Sequence, residues 1–158
     1  MLCLVMLSTG RSAAAQPQTG EPAPHFAITS DSGKHLTPTE FGGKLLILNF
    51  WQTDCVPCVK ELPSLNKLAR AMRSQGLVVA AISGDEDRAK YRNFLRDHHV
   101  TLETYRDPSL TISKSFGTSM FPETYIIQDG RILRKVVGAV DWMSDEMVSF
   151  ARARLSHH

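Results

Sequence analysis

The sequence predicts a single α/β domain with a mixed central sheet and helices on both faces. Three observations carry this. Two apolar runs, 45–51 (nearly continuous) and 77–82, bracket an amphipathic segment, which is the pattern of a strand–helix–strand unit with a buried parallel pair. Two later apolar runs are separated only by Asp129-Gly130, a two-residue hairpin signal that adds antiparallel strands. The chain has 158 residues, 42% apolar and 22% charged, the length and balance of one globular domain.

The elements follow in order. His25–Thr29 and His35–Thr37 flank Ser30-Asp31-Ser32-Gly33 and predict a small N-terminal hairpin. Leu45 to Trp51, after Gly42-Gly43, is a buried central strand. From Pro57 to Gln75, Val59, Leu62, Leu65, Leu68, Ala69 and Met72 form one helical stripe that Gly76 closes, and Pro63 is expected to kink this helix one turn in. Leu77–Ile82 is a second buried strand. Asp85-Glu86-Asp87 then opens an amphipathic helix with Tyr91, Phe94 and Leu95 that ends near His98, its acidic residues suiting the dipole of a first turn. Ser109–Phe116, after Pro108, fits a short helix. Thr124–Gln128 and Ile132–Val137 form the hairpin, and Ser144 caps a final helix with Met147, Val148, Ala151 and Leu155.

Composition narrows the function. Eighteen Lys plus Arg against sixteen Asp plus Glu give +2, so nucleic acid is not the expected partner. No apolar run reaches the ~18 residues that span a bilayer. Three cysteines are too few for a disulfide scaffold. Leu2–Leu7 followed by Ala13-Ala14-Ala15 has the plan of a secretory signal, so residues 1–15 are expected to be a signal peptide or N-terminal anchor. Residues 16–24, with Pro17, Pro22 and Pro24, are expected to be a flexible lead-in, leaving 25–158 as the domain. No Lys or Arg precedes the apolar block, and no lipobox precedes Cys3.

The chemistry centres on Cys55-Val56-Pro57-Cys58, placed between the first buried strand and the helix it feeds. A helix N-terminus favours a thiolate, lowering a cysteine pKa from ~8.5 into the ~3.5–7.5 range. Two cysteines three apart on a first turn can close a disulfide with little backbone movement. Cys55, nearer the surface, is then the attacking sulfur, and Cys58, one turn deeper, resolves the mixed disulfide. The competing readings are a structural pair or half of a zinc site. The only further soft or borderline nitrogen donors are the scattered His25, His35, His98, His99, His157 and His158, and no metal is expected. Val59 after Cys58 excludes the C-x-x-C-H haem attachment signature. Pro122, just before the strand 124–128, suggests a tight turn at the strand start.

Phe50 to Cys58, then Glu61-Leu62-Pro63, then Pro122-Glu123-Thr124-Tyr125-Ile126-Ile127 after Phe116-Gly117, resemble the thioredoxin superfamily, in particular the TlpA/ResA/DsbE-like extracytoplasmic thiol-disulfide oxidoreductases. The resemblance runs from about His25 to the C-terminus. It implies a thioredoxin fold with an N-terminal β-hairpin and an inserted helix–strand between the second buried strand and Pro122. It also implies a cis Pro122 beside the Cys55–Cys58 pair, with the Phe121 backbone available to an extended substrate. Implied partners are disulfide-bearing proteins such as apocytochrome c or copper-site proteins. A transmembrane thiol reductant is the implied donor, and the implied place is periplasmic or extracytoplasmic. No cofactor is implied.

Two positions depart from the family. Asp54 stands where the family has Trp; an anion beside Cys55 opposes its thiolate and removes an aromatic from the docking surface. Asn49 stands where cytosolic-type thioredoxins bury an Asp, so the proton acceptor for Cys58 lies elsewhere, and Asp85, Glu86 and Glu123 are the candidates. Two other functions share parts of this pattern. A copper-assembly module would hold Cu(I) through the cysteine pair with Met120 and His98 or His99. A peroxiredoxin-like peroxidase would require a Pro-x-x-x-Thr-x-x-Cys pocket, and Thr53 to Cys55 lacks that spacing.

Overall fold

A strand that is apolar along nearly its whole length needs cover on both faces. In the computed structural model, which describes residues 17–38 and 44–156, strand β3 (Leu45–Trp51) receives it: all seven residues are buried. β3 pairs in parallel with β4 (Leu77–Ser83), Leu45 opposite Leu77 and Trp51 opposite Ser83. On its other side β3 pairs antiparallel with β6 (Glu123–Gln128), Asn49 opposite Thr124. β5 (Glu103–Arg106) flanks β4 in parallel and β7 (Arg131–Val137) flanks β6 antiparallel, giving the order β5-β4-β3-β6-β7. The N-terminal hairpin, β1 (Ile28–Thr29) and β2 (His35–Leu36), is a separate two-stranded sheet.

Side chains alternate across the sheet and define two cores. Leu45, Ile47 and Trp51 pack with Leu62, Leu65 and Leu68 of α1 (Val56–Met72), Tyr91 of α2 (Arg88–Asp97) and Met147 and Ala151 of α4 (Asp145–Leu155). Leu46, Leu48 and Phe50 face the other way, against Leu36 of the hairpin, Tyr125, and Phe116 and Ile112 at α3 (Thr111–Ser115). Helices thus cover both faces, as the sequence predicts.

Local chemistry accounts for the boundaries. Asp129 (φ 51°) and Gly130 (φ 72°) are both left-handed, the geometry a two-residue hairpin turn between right-twisted strands requires. Gly76, also left-handed, closes a 3₁₀ turn after α1. The Ser144 hydroxyl caps α4 by accepting from the Met147 amide. Pro63 does not end α1, which runs unbroken from Val56 to Met72.

Several expectations are revised. The proline-rich segment expected to be a flexible lead-in instead runs along β7. The Gly20 amide donates to Ile132 O (2.7 Å), Ile132 donates to Glu21 O (2.9 Å), and the Ala23 amide donates to Gly130 O (2.8 Å). These bonds occupy backbone groups that β7, as an edge strand, would otherwise leave open. Asp85, Glu86 and Asp87 do not form a helical first turn. They precede α2, and only Asp87 serves it, as the N-cap accepting from Ala89 (2.8 Å) and Lys90 (3.0 Å). The inserted helix–strand that the resemblance implies is α2 and β5; β5 itself, Glu-Thr-Tyr-Arg, carries no apolar run. The proposed signal or anchor at 1–15, Gly42-Gly43, His157 and His158 lie outside the described residues. No helix among the described residues is long and apolar enough to cross a membrane.

Candidate active site

The site forms where β3 ends and α1 begins. Cys55 is the N-cap of α1 in extended conformation, and its Sγ accepts from the Cys58 amide at 3.2 Å. A free amide directed at sulfur is the contact that stabilises a thiolate there. Pro57 occupies the first turn, where a missing N–H is harmless. Cys55 and Cys58 form a disulfide, with Cα atoms 5.2 Å apart. Cys58 is fully buried among the α1 core residues, whereas Cys55 is half-buried. The outer sulfur is therefore the one a partner can reach.

The second wall comes from the other end of the sequence. Phe121–Pro122 is a cis peptide at the start of β6, and the Phe121 carbonyl lies 3.4 Å from Cys55 Sγ. Val56, 63% exposed, and Met120, 54% exposed, adjoin Cys55 and Phe121 in the chain and present apolar surface beside this contact.

The loop that carries Cys55 is fastened from below by Asp85. Its carboxylate accepts from the Thr53 amide (3.1 and 3.2 Å), the Thr53 hydroxyl (2.6 Å) and the Ser83 hydroxyl (2.5 Å), all buried. Gly84 approaches the same loop closely: its amide donates to Trp51 O (3.0 Å), and a Cβ there would meet Leu110 Cδ2 at 2.6 Å and Gln52 Nε2 at 3.0 Å. The carboxylate of Asp85, a sequence candidate for the proton acceptor, is thus engaged by Thr53 and Ser83. Asp85→Ala removes charged acceptors from buried donors and is expected to lower stability by about 3 kcal/mol. The urea midpoint of the variant tests this; an unchanged midpoint would mean the loop holds without Asp85.

The Glu86 side chain is exposed. Glu123 is not turned to solvent but 2% exposed, with its carboxylate 3.1 Å from Lys135 Nζ. Its neighbour in register is Phe50, and alternation puts it on the Phe50–Tyr125 face, opposite the α1 face that holds Cys58.

Sequence reasoning missed Glu61. This residue of α1 is 3% exposed and one helical turn beyond Cys58, on the same buried stripe. Its Oε1 accepts from Asn49 Nδ2 (2.8 Å), and its Oε2 accepts from the Val140 amide (3.1 Å) and Trp142 Nε1 (3.2 Å). Asn49 Nδ2 also reaches Thr124 Oγ1 (2.9 Å). Burial outweighs these donors and holds the Glu61 carboxyl above the usual glutamate range. The available signal was a carboxylate lying between apolar stripe residues, i+3 from Cys58 and i−4 from Leu65.

Asp54 has its charge answered. It is exposed and forms an ion pair with Lys90 of α2. Among the described residues, no three His, Cys, Asp or Glu side chains are grouped to hold a metal. His98 stacks on Phe94 at the C-terminal end of α2, while Lys90 near its start is the residue that meets the active-site loop.

Comparison with known proteins agrees with this geometry. Residues 19–136 match the AhpC/TSA family. Thiol-disulfide oxidoreductase ResA of Bacillus thuringiensis subsp. konkukian (strain 97-27) is 31% identical over 122 residues, covering 77% of this chain and 70% of that protein. The chain belongs to the AhpC/TSA family, among the ResA-like thiol-disulfide oxidoreductases. ResA of Bacillus subtilis (strain 168) is 28% identical over 130 residues, 82% of this chain and 71% of that protein. In structure, this ResA-like chain is similar to a Chlorobium tepidum protein assigned as the thiol:disulfide interchange protein DsbE. The TM-score is 0.80 at 23% identity, covering 88% of this chain and 99% of that one, a likeness of thioredoxin fold. The ResA-like class and the Cys55–Cys58 bond together make the chain a protein thiol-disulfide oxidoreductase.

Proposed function

We propose that the chain is a reductase that passes two electrons from Cys55 and Cys58 to disulfides of extracytoplasmic proteins, in cytochrome c maturation or similar thiol maintenance. The observation that carries the reading is the disulfide at the mouth of α1, with a half-buried outer sulfur against the Phe121–Pro122 peptide and a fully buried inner one. The Cys55 thiolate attacks one sulfur of the partner's disulfide. That S–S bond breaks, a Cys55–partner disulfide forms, and the departing partner sulfur takes a proton. Cys58 then loses its proton and attacks Cys55 Sγ. The second partner sulfur leaves as a thiol, and Cys55–Cys58 is left oxidised, its two electrons now on the partner.

Glu61 is the proton acceptor for Cys58 in this reading. Its Cβ lies about 5–6 Å from that of Cys58 by helix spacing, it is buried with it, and burial raises its pKa, so that it holds a proton more readily than an exposed glutamate does. A partner disulfide such as that of apocytochrome c docks as an extended segment against Phe121, held by backbone bonds rather than by its sequence. A transmembrane thiol reductant would return the electrons.

The equilibrium reduction potential of Cys55–Cys58 against glutathione tests the direction. A value well below about −200 mV, with reduction of an oxidised Cys-x-x-Cys-His peptide, is expected; a value near −120 mV would make the protein an oxidant instead.

A further inference from the structure

We infer that Lys90 is a positioning residue for thiol exchange: by pairing with Asp54 it withdraws that carboxylate from Cys55 and thereby keeps the outer sulfur reactive. The inference rests on Cys55 being the attacking sulfur.

Asp54 is joined to Cys55 in the chain, so its charge cannot leave the site. A carboxylate there competes directly with the amide of Cys58 that favours the thiolate. Lys90 is the cation that answers it, and Asp54 raises the Lys90 pKa in return. The position of Lys90 is set by the frame rather than by chance contact of two long side chains. Its own amide is bonded to the Asp87 cap, and the residues leading into α2 are held to the active-site loop through Asp85 and Thr53. Arg106 Nη1 adds bonds to Asp85 O (3.1 Å) and Glu86 O (2.8 Å) from β5.

Other acids near the loop have bonded partners of their own, and Asp85 and Asp87 also act on Lys90 through space, more weakly than Asp54 does. Asp85 is spent on Thr53 and Ser83, and Asp87 on the start of α2. Glu61 is buried against Asn49, Val140 and Trp142, and Glu123 faces Lys135 beyond the sheet. Glu86 and Lys60 are exposed. The segment from Thr118 to Pro122, which forms the far wall, contains no ionisable side chain. As stability, an ion pair this exposed is worth little. Its consequence is confined to what Asp54 does to the neighbouring sulfur.

The experiment is the pH profile of iodoacetamide alkylation of the fully reduced protein, with the modified cysteine identified by peptide mapping. Lys90→Gln is expected to move the midpoint for Cys55 upward and, below the midpoint, to slow alkylation about threefold. Lys90→Arg keeps the ion pair and the wild-type midpoint. Asp54→Asn added to Lys90→Gln returns the midpoint to the wild-type value, which a merely structural role for Lys90 would not produce. In 1 M salt, where the screening length falls to about 3 Å, the gap between wild type and Lys90→Gln narrows. An unchanged Cys55 midpoint in Lys90→Gln, or a shift that Asp54→Asn does not reverse, overturns the inference and leaves the thiol-exchange reading standing. Alkylation mapping to Cys58 rather than Cys55 in the wild type would instead overturn the assignment of the attacking sulfur.

Discussion

Cys55→Ser is expected to reduce disulfide exchange to background while leaving the fold in place. The hydroxyl it introduces can still cap α1, since serine is a preferred N-cap. A serine hydroxyl is not ionised at neutral pH and does not attack a partner's disulfide, so the first step fails. Cys58 does not substitute for it, because it is fully buried against Leu62, Leu65 and the rest of the α1 core. The insulin reduction assay with dithiothreitol as electron source reads the loss. Turnover within about tenfold of the wild type would show that the exchange does not run through Cys55.

Glu61→Gln is expected to have the second-largest effect, and on two independent observables. In exchange, removing a positioned base slows resolution of the mixed disulfide by about 10²-fold, with initial attack by Cys55 little changed. In stability, the sign follows from burial. The Glu61 pKa is raised from its ordinary value of 4.5, so the folded protein binds that proton more tightly than the unfolded chain does. The contribution to folding is complete below pH 4.5 and is lost as pH rises through the higher folded value. Glutamine does not titrate, so the wild type should lose stability relative to Glu61→Gln across that interval. Urea midpoints of both proteins between pH 4 and pH 8 measure this. A constant difference across the range would show that Glu61 titrates alike in both states.

The same two residues show which parts of the molecule the sequence makes legible. The central strands are plain because strands buried on both faces are nearly all apolar, and 45–51, apart from Asn49, and 77–82 supply that pattern. The last hairpin is plain because Asp129 and Gly130 are the residue types that tolerate positive φ. β5 is hidden because an edge strand of four residues with one buried side chain needs no pattern. Cys55, Cys58 and Pro122 are readable as residues whose chemistry or geometry few others supply. Asp85 and Glu61 are not, because burial is a property of what lies opposite. The partner of Asp85 is Thr53, 32 residues away, and those of Glu61 are Asn49, Val140 and Trp142, up to 81 residues away. Asp85-Glu86-Asp87 reads as one acidic cluster, yet tertiary contacts give its members a fastening, an exposed surface residue and a helix cap. The lead-in illustrates the converse: its prolines and polar residues suit a tether, but the open backbone of β7 recruits it.

The claim on which the account depends is that a partner's sulfur bonds to Cys55 and that Cys58 releases it. Reduced Cys58→Ser, mixed with a disulfide-bearing protein and quenched with acid, tests both halves at once. The account predicts a covalent one-to-one complex that persists, maps to Cys55 by peptide mass spectrometry and dissociates with dithiothreitol. No complex, or one linked through a residue other than Cys55, would contradict it.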